Sequence, residues 1–393
     1  MINESCYKLG AEPSVIRSLF AYGLQQAALV GADKVYDYSL GNPSIPAPAA
    51  VNSSITDIIG SMDSIKVHGY TTAAGLEDAR QAVAEDLERR FGLPIKAGEL
   101  FFTCGAAPAL ISVIKALAVG EDSEIMLLAP FFPEYVPFVE HNGAKAVIVP
   151  PDTASFQIPM EKVEALISPR TQAIIVNSPN NPSGVVYSRE SLAALAALLE
   201  RKSAEYGHPI YIIADEPYRE LVYDGVQVPF IPCIYKNTVV CYSYSKSLSL
   251  PGERIGYVYV PGSAQDAKEL YTAIAGAARI MGHVCPPSLM QMVIGRCASE
   301  RPDLAAYDEN RRLLYGSLSD MGYECVKPQG AFYLLVKAPG GDSMAFSEKA
   351  KLQHNLLLVP TDGFGCPGYL RLSYCVSRDM IERSLPAFRA LLN

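Results

Sequence analysis

The sequence contains few of the residues on which disulfide scaffolds and metal centres depend. Its nine cysteines are scattered singly, odd in number and without a CxxC pair, and its five histidines are dispersed without an HExxH motif. Disulfide scaffolds, zinc ribbons and metal catalysis therefore have no candidate site. We predict no metal site and a reducing, cytoplasmic location.

The sequence also has no excess of positive charge and no long apolar run. Lys plus Arg number 33 against 41 for Asp plus Glu, a net charge of -8, which argues against a nucleic-acid partner. Apolar stretches such as Leu192–Leu199 are too short to span a bilayer, so no membrane partner is predicted. Met1–Gly10 lacks a basic start followed by an apolar run, so we expect no signal peptide. No GxGxxG motif follows a predicted strand, which disfavours a nicotinamide-dependent oxidoreductase.

What the chain does have is enough apolar residues for a large core. It is 393 residues long and 49% hydrophobic, so we expect a large domain and a smaller one. Short apolar runs alternate with helical patterns until about Pro261, which is typical of a mostly parallel sheet covered on both faces. Longer helical patterns and shorter strands then predict an α+β domain. We predict a large domain over residues 46–275 and a small domain from residues 1–45 and 276–393. The clearest predicted strands are Glu124–Ala129, Lys145–Val149, Gln172–Val176, Tyr211–Ala214 and Thr238–Tyr242.

Polar clusters follow the apolar strands, at the edge of the sheet where ligands bind in such folds. A lysine held at a strand end, Lys246, would be partly desolvated and therefore nucleophilic toward carbonyls. Asp215 ends an apolar strand, and Arg254 lies eight residues after the lysine. The segment Thr103–Leu110 opens a helix, whose free amides form an anion site. Each alone has an ordinary structural explanation, but an imine-forming lysine, an acid for a pyridine nitrogen and a phosphate site together indicate pyridoxal 5′-phosphate.

With these motifs the chain resembles a known family, the fold type I pyridoxal-phosphate-dependent aminotransferases of class I/II (aspartate aminotransferase-like). The matching stretches, in the family order from residue 40 to residue 374, are LGNP, HGYTTAAG, TCGAAPAL, PFFPEY, NSPNNPSG, ADEPY, SYSKSLSLPGERIGY and YLRLSY. The resemblance implies the α/β fold of that family, a large domain with a mostly parallel sheet flanked by helices plus a smaller α+β domain. It also implies transfer of an amino group between an L-amino acid and a 2-oxo acid by a ping-pong mechanism.

The resemblance implies three catalytic residues. Lys246 is similar to the lysine that forms a Schiff base with the cofactor and later moves the α-proton. Asp215 resembles the partner of the pyridine N–H. Tyr218, with Asn181, resembles the pair that hydrogen-bonds the ring hydroxyl.

The remaining implied contacts concern the phosphate, the ring and the substrate. Tyr70 resembles a tyrosine that reaches the phosphate from the neighbouring subunit, which implies a homodimer. Gly41, Asn181 and Arg371 are similar to the residues that hold the substrate α-carboxylate, which the planar guanidinium of Arg371 suits bidentately. The other implied cofactor contacts are Gly105, Ala106, Ala107, Phe132, Ser243, Ser245 and Arg254.

Two questions stay open at this level. A β-eliminating lyase of the cystathionine lyase type shares most of these motifs, and a non-catalytic regulatory protein that binds the cofactor is a further alternative. The amino donor and the 2-oxo acid are not determined, and Arg279 is only a weak candidate for a distal carboxylate. His68, the first residue of HGYTTAAG, and His283 could approach the cofactor, but neither has an assigned role. Ala106 and Ala107 stand where many relatives have a hydroxyl residue, which reduces hydroxyl ligation of the phosphate.

Overall fold

Thirteen β-strands lie in residues 1–392, which are the residues that the structure, a computed structural model, describes. They form three sheets of seven, four and two strands. The strands are β1 (Tyr36–Asp37), β2 (Leu100–Thr103), β3 (Glu124–Leu128), β4 (Lys145–Val149), β5 (Thr171–Asn177), β6 (Tyr211–Asp215), β7 (Thr238–Ser243), β8 (Gly256–Tyr259), β9 (Cys325–Val326), β10 (Tyr333–Lys337), β11 (Leu356–Leu357), β12 (Val359–Pro360) and β13 (Tyr369–Ser373).

Helices cover the sheets and connect the strands of the large one. In the described residues they are α1 (Glu4–Ala11), α2 (Val15–Val30), α3 (Ala49–Ser61), α4 (Ser64–His68), α5 (Glu77–Phe91), α6 (Ala106–Leu117), α7 (Tyr135–Glu140), α8 (Met160–Leu166), α9 (Arg189–Tyr206), α10 (Tyr244–Ser247), α11 (Ala267–Ile280), α12 (Ser288–Cys297), α13 (Ala305–Met321), α14 (Ser343–His354) and α15 (Arg378–Leu391). Within residues 1–392 no helix combines the length and the hydropathy that crossing a bilayer requires.

The seven-stranded sheet has the order β2-β8-β7-β6-β5-β3-β4, and only β8 runs antiparallel to the rest. Its central strands are buried on both faces. In β6, Ile212 and Ala214 enter one hydrophobic cluster, whereas Tyr211 and Ile213 enter the cluster on the other face. This architecture confirms the predicted mostly parallel sheet flanked by helices.

Two details of the large sheet differ from the sequence analysis. The segment Lys145–Val149 was expected to be covered on both faces, but β4 is the edge strand and only Val149 in it is fully buried. The antiparallel strand β8 was not predicted. It has only four residues and follows a Pro-Gly loop, so its apolar pattern is too short to be recognised as a strand.

A smaller α+β unit follows in the chain, as the family fold requires. Its antiparallel sheet has the order β12-β13-β10-β9 and packs against α13, α14 and α15. The N-terminal segment joins this unit, because β1 pairs with β11 and Tyr38 lies edge-on to Phe388 at 5.9 Å between ring centroids. The exact domain boundaries stay a prediction.

The topology determines where polar residues meet. The parallel strands β5, β6 and β7 end side by side, with Asn177 in register with Asp215 and Asp215 in register with Cys241. Because β2 runs parallel to them, the turn from β2 into α6 opens at the same edge. This edge is the site that the sequence predicts for ligand binding.

Candidate active site

Asp215 ends the central strand β6 and is buried. Its Oδ2 accepts hydrogen bonds from the Tyr135 hydroxyl and from Asn177 Nδ2, the latter at 3.3 Å. Its Oδ1 has no hydrogen-bond partner among residues 1–392. Burial raises the pKa of this carboxyl to about 7, because the ionised form loses its hydration. Asp215 is therefore oriented by two neighbours and has one acceptor oxygen left for a ligand.

Lys246 lies on the short helix α10, directly after strand β7. The Ser243 side chain caps this helix by accepting a hydrogen bond from the Ser245 N–H at 3.2 Å. The Lys246 ammonium donates to the Gly41 carbonyl at 2.7 Å. The pKa of Lys246 is lowered to about 8, mainly by burial and also by the charges of Arg254 and Arg371, against an opposing effect of Cys375. About a tenth of this amine is therefore unprotonated at pH 7, far more than for an ordinary lysine.

A cradle for an anion lies where α6 begins. Gly105 has φ +92°, and a Cβ there would approach the Arg254 guanidinium to 2.7 Å, so only glycine leaves room for this arginine. Arg254 donates to Ser245 Oγ at 3.4 Å, and Ser245 Oγ lies 2.7 Å from Ser243 Oγ. A helix N-terminus, a guanidinium and two hydroxyls thus converge, which suits a phosphate.

Arg371 enters the same pocket from strand β13 and is fully buried. Its guanidinium donates to Asn181 Oδ1 at 3.2 Å and to the Ser39 carbonyl, while its Nε has no hydrogen-bond partner within residues 1–392. It also stacks on the Tyr333 ring at 4.7 Å and on the Phe364 ring at 5.4 Å. Burial lowers its pKa. Its hydrogen-bond acceptors are neutral, and the nearby Asp37 carboxylate compensates its charge only from a distance, so a bound carboxylate would meet a buried cation with no direct ionic partner among residues 1–392.

Most of the predicted site residues line a single pocket between these elements. The exceptions are Gly105, which instead borders Arg254, and Tyr70, whose side chain is 90% exposed away from the pocket. Arg279, His68 and His283 do not line it either. The predicted residues that do are Gly41, Ala106, Ala107, Phe132, Asn181, Asp215, Tyr218, Ser243, Ser245, Lys246, Arg254 and Arg371.

Three functional-site residues were missed from the sequence. Tyr135 and Asn177 hold Asp215, and Tyr333 contacts the Tyr218 hydroxyl at 2.9 Å. Asn177 and Tyr135 lie within motifs already recognised, NSPNNPSG and PFFPEY. For Asn177 a polar residue at a strand end was an available signal, whereas Tyr135 begins helix α7 and had only its place in the motif. Tyr333 begins an ordinary apolar strand, which gives no comparable signal.

The pocket fits pyridoxal 5′-phosphate by its own donors and acceptors. The free Oδ1 of Asp215 suits a pyridinium N–H, and the amine of Lys246 suits an aldehyde. The cradle at Gly105 and Arg254 suits the phosphate. Phe132 lines the pocket and stands edge-on to Tyr135, with ring centroids 5.8 Å apart, so an aromatic wall borders the Asp215 side.

Comparisons with known proteins identify the family. The family model described as aminotransferase class I and II matches residues 34–388. The aspartate/prephenate aminotransferase of Thermus thermophilus is 30% identical over 334 residues, which cover 82% of this chain and 83% of that protein. A crystal structure of an aminotransferase from Eubacterium rectale is 53% identical with a TM-score of 0.97, covering 100% of this chain and 98% of the other. The structure of aspartate aminotransferase from Thermus thermophilus with maleate has a TM-score of 0.87 at 27% identity, with both chains fully covered. The chain therefore belongs to the class I and II aminotransferases and is a pyridoxal-phosphate-dependent transaminase.

Proposed function

We propose that Lys246 is the residue that bonds to the cofactor and then carries the substrate α-proton. The observation that carries this proposal is the position of its amine, which lies in the pocket between the Arg254 cradle and Arg371 with a pKa lowered to about 8. An amine that titrates near neutral pH can both attack a carbonyl and accept a proton. Bound pyridoxal phosphate supplies a ring that withdraws electrons from the α-carbon of an amino acid. A ping-pong exchange between an L-amino acid and a 2-oxo acid is the reaction that follows.

Asp215, Asn181 and Tyr218 hold the ring in this proposal. Asp215 presents its free Oδ1 to the pyridine nitrogen and keeps that nitrogen protonated. The Asn181 carbonyl oxygen is occupied by Arg371, so its amide N–H₂ stays available for the ring hydroxyl. Tyr218 donates to the same oxygen. Phe132 would border the ring, and the anion cradle of Gly105, Ala106, Ala107, Ser243, Ser245 and Arg254 would hold the phosphate.

Arg371 holds the α-carboxylate of the substrate. Its planar guanidinium is fixed by Asn181 and by two stacked rings, which prepares it for a bidentate pair. Gly41 contributes backbone contacts next to it, because it lines the same pocket, where its carbonyl accepts from Lys246. The amino group of the substrate is thereby brought to the position of the lysine amine.

A homodimer with Tyr70 crossing between subunits completes the proposed site. Tyr70 is 90% exposed and does not line the pocket of its own chain. It lies beside the start of α12, where Thr71 Oγ1 accepts from Gln291 Nε2 at 3.0 Å. The preceding helix α4 exposes Ile65 (83%), a large apolar side chain that a partner surface would cover.

A second acidic group on the substrate is favoured by the charges of the pocket. Four basic side chains line it, and Lys246, Arg254 and Arg371 already have roles. The fourth, Arg17 on α2, forms no ion pair with another residue in 1–392. We therefore propose dicarboxylic substrates, with Arg17 at the distal carboxylate. The related Thermus thermophilus structure is described with maleate, itself a dicarboxylic acid.

The first prediction concerns Lys246. Borohydride treatment of the cofactor-loaded protein should attach the cofactor to the peptide that contains Lys246, as measured by mass spectrometry. Lys246→Ala should lose this label and more than about 99% of transaminase activity, because no other lysine of residues 1–392 lines the pocket. Lys145→Ala, at an exposed lysine on the edge strand, is the matched control and should behave as the parent. A label on another lysine, or release of ammonia and pyruvate from cystathionine without amino transfer, would contradict the proposal.

The second prediction concerns Asp215 and pH. Its pKa in the folded, cofactor-free protein is about 7 against an ordinary value of 3.8, so the folded state binds a proton that the unfolded chain releases. The free energy of unfolding should therefore fall as pH rises from about 4 to about 7, by at most about 4 kcal/mol. Asp215→Asn does not titrate and should lack this decline, while its cofactor-loaded activity falls by about two orders of magnitude.

The measurement for Asp215 is the urea midpoint of the cofactor-free proteins at pH 5 and pH 8. Wild type should lose more stability between these values than Asp215→Asn. Equal changes in both proteins would show that Asp215 is already ionised at pH 5, and that its carboxylate is not held in the way proposed.

The third prediction concerns Tyr70. A Lys246→Ala chain and a Tyr70→Ala chain are co-expressed with different tags, and the hybrid dimer is isolated. If Tyr70 crosses the interface, the site with the intact Lys246 receives Tyr70 from its partner, and the hybrid should recover about half of the parental activity. If Tyr70 serves its own chain, the hybrid should be no more active than half of the Tyr70→Ala dimer. A monomer in sedimentation analysis would also reject the proposal.

The fourth prediction concerns Arg17. Arg17→Gln should lower kcat/KM for aspartate and 2-oxoglutarate about fivefold, the size expected for a partly exposed charge pair, and leave alanine and pyruvate unchanged. Glu134→Gln, at a carboxylate of the same pocket that forms no ion pair within residues 1–392, should not lower kcat/KM for dicarboxylic substrates. The opposite pattern, in which Glu134→Gln impairs a basic amino acid and Arg17→Gln has no effect, would reject the dicarboxylic assignment.

A further inference from the structure

Tyr333 lies at the point where the proposed cofactor and substrate contacts meet. It is the first residue of β10, it is buried, and it lines the active-site pocket. Two residues along the strand, Leu335 pairs with Arg371 of β13, so Tyr333 lies diagonally opposite Arg371 on the same face of the sheet. Its ring packs 4.7 Å from the Arg371 guanidinium. The ring of Tyr333 is thus part of the support of the proposed carboxylate site.

The hydroxyl of Tyr333 has a separate and specific position. It lies 2.9 Å from the hydroxyl of Tyr218, and both side chains are buried. The space that it occupies beside Gly41 exists only because Gly41 has no Cβ, since an added Cβ would collide with the tyrosine oxygen and would lie 3.1 Å from Phe332 Cε2. A side chain at residue 41 would therefore displace the Tyr333 hydroxyl from Tyr218.

The direction of the hydrogen bond follows from counting protons. Each phenol has one O–H, and burial raises the pKa of Tyr333 to about 12 and that of Tyr218 well above its ordinary value, so both stay neutral. In the proposed function Tyr218 uses its single O–H to donate a hydrogen bond to the ring oxygen of the cofactor. Tyr218 can then only accept from Tyr333, and a chain of two donors ends on that oxygen.

We propose that Tyr333 is a positioning residue that strengthens the hydrogen bond from Tyr218 to the cofactor, and that its ring separately holds Arg371 for the substrate. This inference rests on the proposed role of Tyr218. A donor that is itself hydrogen-bonded is polarised and donates more strongly. The hydrogen bond from Tyr218 favours the anionic ring oxygen. By strengthening that bond, Tyr333 lowers the pH at which the linkage between Lys246 and the cofactor loses its proton and the loaded enzyme changes colour.

Two substitutions separate the two roles. Tyr333→Phe removes only the hydroxyl and should raise the pH midpoint of the colour change by about 0.5, with little change in KM for the amino acid. Tyr333→Leu also removes the aromatic ring under Arg371 and should in addition raise that KM about fivefold. Spectrophotometric pH titration of the loaded enzyme measures the first effect, and steady-state kinetics measures the second.

A double-mutant cycle tests whether Tyr333 acts through Tyr218. Tyr218→Phe should raise the midpoint more than Tyr333→Phe does, and adding Tyr333→Phe to Tyr218→Phe should produce no further rise. Tyr323→Phe is the matched control. Like Tyr333, Tyr323 is a buried tyrosine with a hydrogen-bonded hydroxyl, but its partner is a backbone carbonyl at 2.8 Å and it does not line the pocket. Its midpoint should equal that of the parent.

The outcomes distinguish this inference from the function on which it rests. If Tyr218→Phe shifts the midpoint and Tyr333→Phe does not, the inference is wrong and the role of Tyr218 stands. If neither variant shifts it, both the inference and the proposed contact of Tyr218 with the ring oxygen are wrong. Tyr333→Phe could also raise the midpoint in the Tyr218→Phe background by as much as it does in the parent. That result would show that Tyr333 acts by another route, and would also overturn the inference.

Discussion

A carboxylate kept away from water at the end of a central strand is the constraint around which the pocket is organised. Asp215 has one oxygen held by Tyr135 and Asn177, and the other oxygen has no partner within residues 1–392. Burial raises its pKa to about 7, so in the cofactor-free protein the ionised form is disfavoured. A cationic N–H from a ligand offsets that penalty. The same side chain that destabilises the empty pocket therefore stabilises the complex, and the two effects have one physical origin.

The parallel sheet explains how so few residues of the chain assemble this arrangement. Strands β5, β6 and β7 deliver Asn177, Asp215 and Ser243 to neighbouring positions because all three end at one edge. The remaining groups come from elements that approach that edge. Lys246 sits on the turn after β7, and Arg371 is brought from the small sheet. The functional groups are thereby held by backbone structure, which restricts their freedom more than loops would.

The sequence allowed the parts of the site that are local to be predicted. An apolar run that is followed directly by Asp215, or by the segment with Lys246, predicts a buried strand. It also predicts that the polar residues lie at the carboxyl end of that strand. Contacts between distant segments could not be obtained in this way. Tyr135 and Asp215 are 80 residues apart, and Tyr218 and Tyr333 are 115 residues apart, so their meeting depends on how the sheets pack. A single sequence contains no measure of that packing.

The same limit explains the errors in the fold. The apolar pattern of a single strand does not determine its position in the sheet, so β4 could not be recognised as an edge strand. Tyr70 is a related case, because the role proposed for its exposed side chain lies in the site of a second chain. Its proposed role comes from the resemblance to a family, and the structure contributes the observation that it does not line its own pocket.

In the proposed function, Arg371 links the substrate to Lys246, the proposed base. Burial is the main reason that the pKa of Lys246 is low, and the positive charge of Arg371 contributes to it. A substrate carboxylate paired with Arg371 neutralises that charge and removes its effect on the amine. Lys246 would then become a stronger proton acceptor when a substrate is bound, at the stage when it is proposed to take the α-proton. Because Arg371 is fixed by Asn181 and by the ring of Tyr333, the groups that bind the carboxylate and those that bind the cofactor form one connected structure. Binding and proton transfer are consequently coupled through charge, without any movement of the lysine being required.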